Sequence, residues 1–178
     1  MKIMLVFFLF LVTLAGNAQD IKIEFDKNHD FSSYKTFSLG ESEIILSNDE
    51  ETIDKPKIDT WVKDAIASEL EAKGLKKTDS AGDLTISYVI NSVQRSQIEN
   101  VGPLGGTPGV IDQPRSSMRD YNLSSFIIDL KNKSNDLVWR VNAQTRVSSS
   151  VETQEAISEV VTKGFKNYGK PSKNKRRK

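Results

Sequence analysis

The chain has 178 residues, enough for one domain with its own core, and sets 25 lysines and arginines against 24 acids with a single histidine. It contains no cysteine, which excludes a disulfide framework, a thiolate nucleophile, a cysteine-based metal site and an acyl anchor on an N-terminal cysteine. The charge is uneven: Lys163 to Lys178 carries eight basic residues and no acid, so the body before it is acidic.

Lys2, the nearly unbroken apolar run Ile3 to Leu14 and the small residues of Ala15-Gly16-Asn17-Ala18 predict a signal peptide over residues 1–18, cleaved after Ala18. Twelve residues of helix rise only about 18 Å, short of the roughly 30 Å hydrocarbon core, so the run does not read as an anchor. No second apolar run follows. The expectation is export to the periplasm or beyond, with no lipid anchor, no transmembrane segment after cleavage, one domain over residues 19–168 and a basic, disordered tail over 169–178.

Ile21 to Phe25 alternates apolar and polar residues and predicts a first strand. Phe31 to Leu39, aromatic and β-branched, predicts a second strand ending near Gly40, and the acidic, polar stretch Glu41 to Lys55 reads as a loop. Pro56 suits a first helical turn, and Ile58, Val62, Ala65, Ile66 and Leu70 form the stripe of an amphipathic helix over Lys57 to Lys73, stopped by Gly74. Trp61 falls at the edge of that stripe. Leu84, Ile86, Tyr88 and Ile90 alternate with polar residues as a third strand, entered through the turn Ser80 to Asp83. Four glycines and three prolines between Gly102 and Pro114 predict a mobile loop. Tyr121 to Leu130 and Leu137 to Thr145 predict a β-hairpin, with Leu137, Trp139 and Val141 on one face. Ala156, Ile157, Val160, Val161 and Phe165 mark a second amphipathic helix. Two helices and about five strands fit an α+β two-layer sandwich, with an antiparallel or mixed sheet and both helices on one face.

Chemistry-bearing residues are sparse. His29, the only histidine, allows no histidine-based metal set, and no metal or cofactor is expected. Asp83, Asp129 and Asp136 stand at strand ends, in turns or within a strand; two of them brought together would suit a carboxylate-based hydrolase, whereas turn bonding explains Asp83 and Asp136 more simply. Gly102 to Gly106 lacks the lysine and following helix of a phosphate cradle. Phe31, Tyr34, Phe37, Trp61 and Trp139 suit a core better than a ligand groove. A binding site would draw on Trp61, Asp83, Asp129, Trp139 and Arg140. The partner expected is an envelope protein or envelope component, with no specific nucleic-acid binding; the tail Lys170 to Lys178 leaves open a contact with polyanions or a membrane surface.

Asp30-Phe31-Ser32-Ser33-Tyr34-Lys35-Thr36-Phe37, Asp83-Leu84-Thr85-Ile86-Ser87-Tyr88, Phe126-Ile127-Ile128-Asp129-Leu130 and Leu137-Val138-Trp139-Arg140, in this order with a glycine-rich gap before the third, resemble the domain of unknown function 4136 family. The resemblance spans about Ile21 to Phe165 and implies an exported bacterial envelope protein, with no activity or catalytic residue attached. The chain departs from that pattern in lacking a lipidation cysteine, in Leu39 where an aromatic is common, and in Phe165-Lys166 with a basic tail where the family ends on Phe-Pro.

Expressed with its native N-terminus in a bacterial host, the protein should be recovered from the periplasm with an intact mass that starts at Gln19. Uncleaved chain in the cytoplasm would contradict the export assignment.

Overall fold

A computed structural model describes residues 20–26, 29–46, 54–101 and 115–170. The predicted signal peptide, residues 47–53 of the expected acidic loop, the Gly102 to Pro114 stretch and the tail from residue 171 lie outside the described residues.

The elements in order are β1 (Asp20–Phe25), β2 (Thr36–Ile45), α1 (Lys55–Ala72), the two-residue β3 (Lys76–Lys77), β4 (Leu84–Val101), β5 (Arg115–Asn132), β6 (Leu137–Val147) and α2 (Ser150–Phe165). They build one six-stranded sheet in the order β1-β6-β5-β4-β2-β3. β4, β5, β6 and β1 are antiparallel neighbours, and β2 runs parallel to both β3 and β4, so the sheet is mixed. The α+β two-layer class read from the alternation therefore holds. The sixth strand, β3, carries no apolar signal: its lysines are exposed, and it is tied to β2 by the Lys76 N–H donating to the Lys35 carbonyl at 2.8 Å.

Local chemistry moves several boundaries. The strand expected from Phe31 starts only at Thr36, because the Asp30 carboxylate accepts the Ser32 N–H (2.9 Å) and hydroxyl (2.6 Å) and winds Phe31–Ser33 into a 3-10 turn. β2 then continues through Glu41 to Ile45, within the segment read as a loop. A register shift between Leu39 and Ser42 turns Leu39 and Ile44 to the same core although their positions differ in parity, and that bulge hides the alternation. A second bulge at Leu130/Lys131 makes Lys131 face Leu137 while Leu130 faces Trp139. Leu137 is in consequence 44% exposed instead of sharing the face of Trp139 and Val141, and Val138 is buried in its place.

Both helix ends are chemically specified. α1 closes in a Schellman motif, with the Leu75 N–H on the Leu70 carbonyl and the Gly74 N–H on the Glu71 carbonyl, Gly74 taking φ +89. α2 opens on Ser149, whose hydroxyl accepts the Glu152 N–H while the Glu152 carboxylate reaches back to the Ser148 N–H. The stripes Ile58, Val62, Ile66, Leu70 and Ile157, Val160, Val161, Phe165 share one core with Leu84, Ile86, Tyr88, Ile90, Phe126, Ile128, Leu130, Trp139, Val141 and Ala143. One end of that core is aromatic. Trp139 stacks on Phe25 at 4.4 Å and meets Phe31 and Tyr168 edge-on, and burial pushes the Tyr168 hydroxyl above its ordinary pKa.

Gly164 sets the spacing of the layers: a Cβ there would lie 2.8 Å from both methyls of Val141. Gly164→Ala should be destabilising, since overpacking costs about 1–3 kcal/mol against a helix-propensity gain of about 1 kcal/mol. Adding Val141→Ala makes room, so urea titrations should give a double-variant cost smaller than the sum of the two single costs. Strict additivity would show that the two residues do not touch.

A polar cleft on the open sheet face

Residues of opposite parity to the core ones point away from the helices. Register places them in rows: Thr85 opposite Lys131, and Ser87 opposite Asp129, which faces Arg140, which faces Glu24 on β1. At the end of this face the turn before β4 meets the turn between β5 and β6. Between them lies a cleft of about 400 Å³ lined chiefly by Glu41, Thr85, Ser87, Lys131, Asn132 and Lys133.

Asp83 joins the two turns. Its Oδ2 accepts the N–H groups of Lys35 and Thr36 and the Thr36 hydroxyl, all at 3.0 Å, and its Oδ1 accepts the Lys133 ammonium at 2.8 Å. The Asp83 N–H donates in return to Thr36 Oγ1 at 3.0 Å. The Lys133 ammonium first, then the Lys35 N–H and the Thr36 groups, hold this carboxyl well below the usual carboxylate range. Asp136 has a turn role: it accepts from the Asn132 amide at 3.0 Å, and Asn132 Oδ1 accepts the N–H groups of Ser134 and Asp136. Asp129 and Arg140 form a bidentate pair, with Nε on Oδ1 and Nη2 on Oδ2 at 2.6 Å each. That fork is the strong form of ion pair, and it raises the Arg140 pKa, aided by Glu24.

The three carboxylates therefore do three different jobs. Asp83 pins the β4 turn to the start of β2, Asp136 shapes a hairpin turn, and Asp129 neutralises Arg140. His29 donates to or accepts from the Tyr34 hydroxyl at 2.6 Å and stacks on its ring, while the Asp30 carboxylate bonds Ser32.

Of the five residues singled out for binding, the structure brings Asp83, Asp129 and Arg140 to the open face. Trp61 sits on α1 in the helix layer, half-buried, with the Lys57 ammonium 5.1 Å from its ring centre. Trp139 is fully buried and offers no surface to a ligand. The residues missed are Thr85, Ser87, Lys131, Asn132 and Lys133. Alternation opposite Leu84 and Ile86 does mark the two hydroxyl residues as outward-facing, but the approach of two turns distant in sequence leaves no mark along the chain. Another polar node also went unread: the Tyr88 hydroxyl bonds Asp59 of α1, which also accepts from Ser42 and Lys63.

The family description "Domain of unknown function (DUF4136)" matches residues 21–168. The chain belongs to the DUF4136 family. Similar solved structures include a DUF4136 family protein from Bacteroides thetaiotaomicron, at 15% identity and TM-score 0.47 over 84% of this chain and 95% of that one. Another is the PelC dodecamer from Paraburkholderia phytofirmans, at 10% identity and TM-score 0.48 over 83% and 95%. A PDZ domain protein from Parabacteroides distasonis gives 19% identity and TM-score 0.48 over 88% of this chain and 36% of that one. No curated protein matches the chain.

Because the folded Asp83 pKa is depressed, its stabilising contribution is present above the unfolded value of about 3.9 and fades as pH falls toward the folded one. Asp83→Asn should therefore destabilise by a constant amount from neutral pH down to about 5, and its cost should shrink progressively as pH falls below about 4 toward the depressed folded pKa. Urea midpoints across that range test this; a cost independent of pH would contradict the ion pair.

Proposed function

We propose that this DUF4136 chain is a non-enzymatic binding domain exported to the cell envelope, and that the open sheet face with its polar cleft receives an envelope protein or envelope component. The observation that carries the reading is the cleft itself, where Lys131, Lys133, Thr85, Ser87, Asn132 and Glu41 line one concave surface, with Lys133 held by Asp83. Such a lining, with lysines, hydroxyls and one carboxylate, suits a polar ligand rich in hydroxyl groups, since it offers charged donors, a charged acceptor and groups that both donate and accept. Engagement of Asp83, Asp129 and Asp136 in capping, pairing and turn bonds supports binding over hydrolysis. The pattern of residues 1–18 supports export, and the absence of cysteine supports a chain without a lipid tether.

Hydrogen exchange of the mature protein, alone and with a native envelope fraction, tests this reading. Protection is expected at residues 81–87 and 131–135 and should weaken with salt, because exposed lysines are screened. No protection, or protection confined to other segments, would overturn the assignment of the cleft.

A further inference from the structure

β4 and β5 outrun the rest of the sheet. β2 leaves β4 at the Ile45–Asn91 pair and β6 leaves β5 at the Val147–Asn122 pair, yet β4 and β5 stay paired as far as Val101 and Arg115. Among the described residues, nothing pairs with β4 from Val93 to Val101 on its β2 side. The result is a two-stranded arm, a form that is marginal in water by itself, whose β4 edge has no pairing strand among the described residues. By alternation its helix-side face carries Ile98 and Met118, cross-strand partners that stand 66% and 73% exposed beyond the reach of either helix.

The free edge reads Val93-Gln94-Arg95-Ser96-Gln97-Ile98-Glu99-Asn100-Val101. Paired antiparallel with a second copy of itself about a two-fold axis at Gln97, it sets Arg95 opposite Glu99 of the second copy, twice, and Val93 opposite Val101. Neighbouring symmetric registers fail this test. Centred on Ser96 the arginine meets Gln97 and the glutamate meets Val93; centred on Ile98 the arginine meets Val101. Centred on Arg95 or Glu99, like charges face each other, which is destabilising. The Gln97 register also makes the two Ile98 positions diagonal neighbours, within reach of large side chains. Met118, Ile98 and their symmetry mates then form one apolar strip across the junction.

We propose that the outer edge of β4 in the arm pairs with the same edge of a second copy in the register centred on Gln97, making one continuous sheet through a two-fold dimer. This pairing uses the end of β4 opposite the polar cleft and does not depend on what the cleft binds. The interface is isologous, so each charge substitution acts twice.

Analytical ultracentrifugation of the mature chain over a wide concentration range tests the proposal, with circular dichroism to check that every variant is folded. The wild type should dimerise reversibly. Arg95→Glu and Glu99→Arg should each raise the dissociation constant roughly tenfold, as two attractive cross-strand pairs become repulsive, and the combined Arg95→Glu/Glu99→Arg chain should return close to the wild-type value. A wild type that stays monomeric would overturn the proposal and leave the edge to a different protein. A dimer indifferent to both charges, or one that the double exchange fails to restore, would overturn it in favour of another register or of pairing through β5.

Discussion

The stripes of α1 and α2 share a single core with alternate residues of β4, β5 and β6, and this one-sided burial constrains everything else in the molecule. Because side chains alternate along a strand, a slip of one residue would carry Ile86, Tyr88, Phe126 and Ile128 into water. The register is therefore fixed wherever the helices lie. The helix cover ends near the buried pair Ser92 and Ser124, whose hydroxyls bond each other at 3.2 Å, and beyond it apolar alternation in β4 and β5 gives way to polar sequence. The face left open and the arm left uncovered are two consequences of the same asymmetry.

The legible parts of this fold are those where burial is periodic. Ile58 to Leu70, Leu84 to Ile90 and Ala156 to Phe165 each repeat at the period of their element, because each packs on a flat layer. What escaped reading breaks a period or lacks one. The bulge after Leu39 switches the buried parity of β2, the bulge at Leu130 exposes Leu137, β3 is two lysines held by backbone bonds, and the outer half of β4 is mostly polar where no described residue covers it. The same distinction applies to the cleft. Asp83, Asp129 and Arg140 can be placed by strand position and alternation, but their grouping with Lys131 and Lys133 depends on two turns about fifty residues apart meeting through Asp83, as the Lys133–Asp83 bond shows. Trp139 illustrates the reverse: its chemistry suits a ligand site, and its position inside the aromatic cluster removes it from one.

Electrostatics separates the two proposed surfaces. The body is acidic, and the cleft sets Lys131 and Lys133 beside Glu41, with Lys133 neutralised by Asp83 and placed by the Asn132-centred turn. Arg140 is neutralised in the same way by Asp129. The arm depends less on field than on backbone: its β4 edge has no pairing strand among the described residues, and its charges select a register. The ligand proposed for the cleft and the second copy proposed for the arm would therefore be recognised by different physics at opposite ends of β4.

One sheet face is core and, among the described residues, the other carries no covering layer; the absence of cysteine from the sequence makes this difference directly measurable. Single cysteines would be introduced in turn at Thr85, Ser87, Ser125 and Gln144, which point away from the helices, and at Ile86, Phe126, Ile128 and Ala143, which point toward them. Maleimide labelling of the folded protein should proceed at the first four sites and be strongly retarded at the second four. Equal labelling of both sets, or protection of the outward one, would contradict the account.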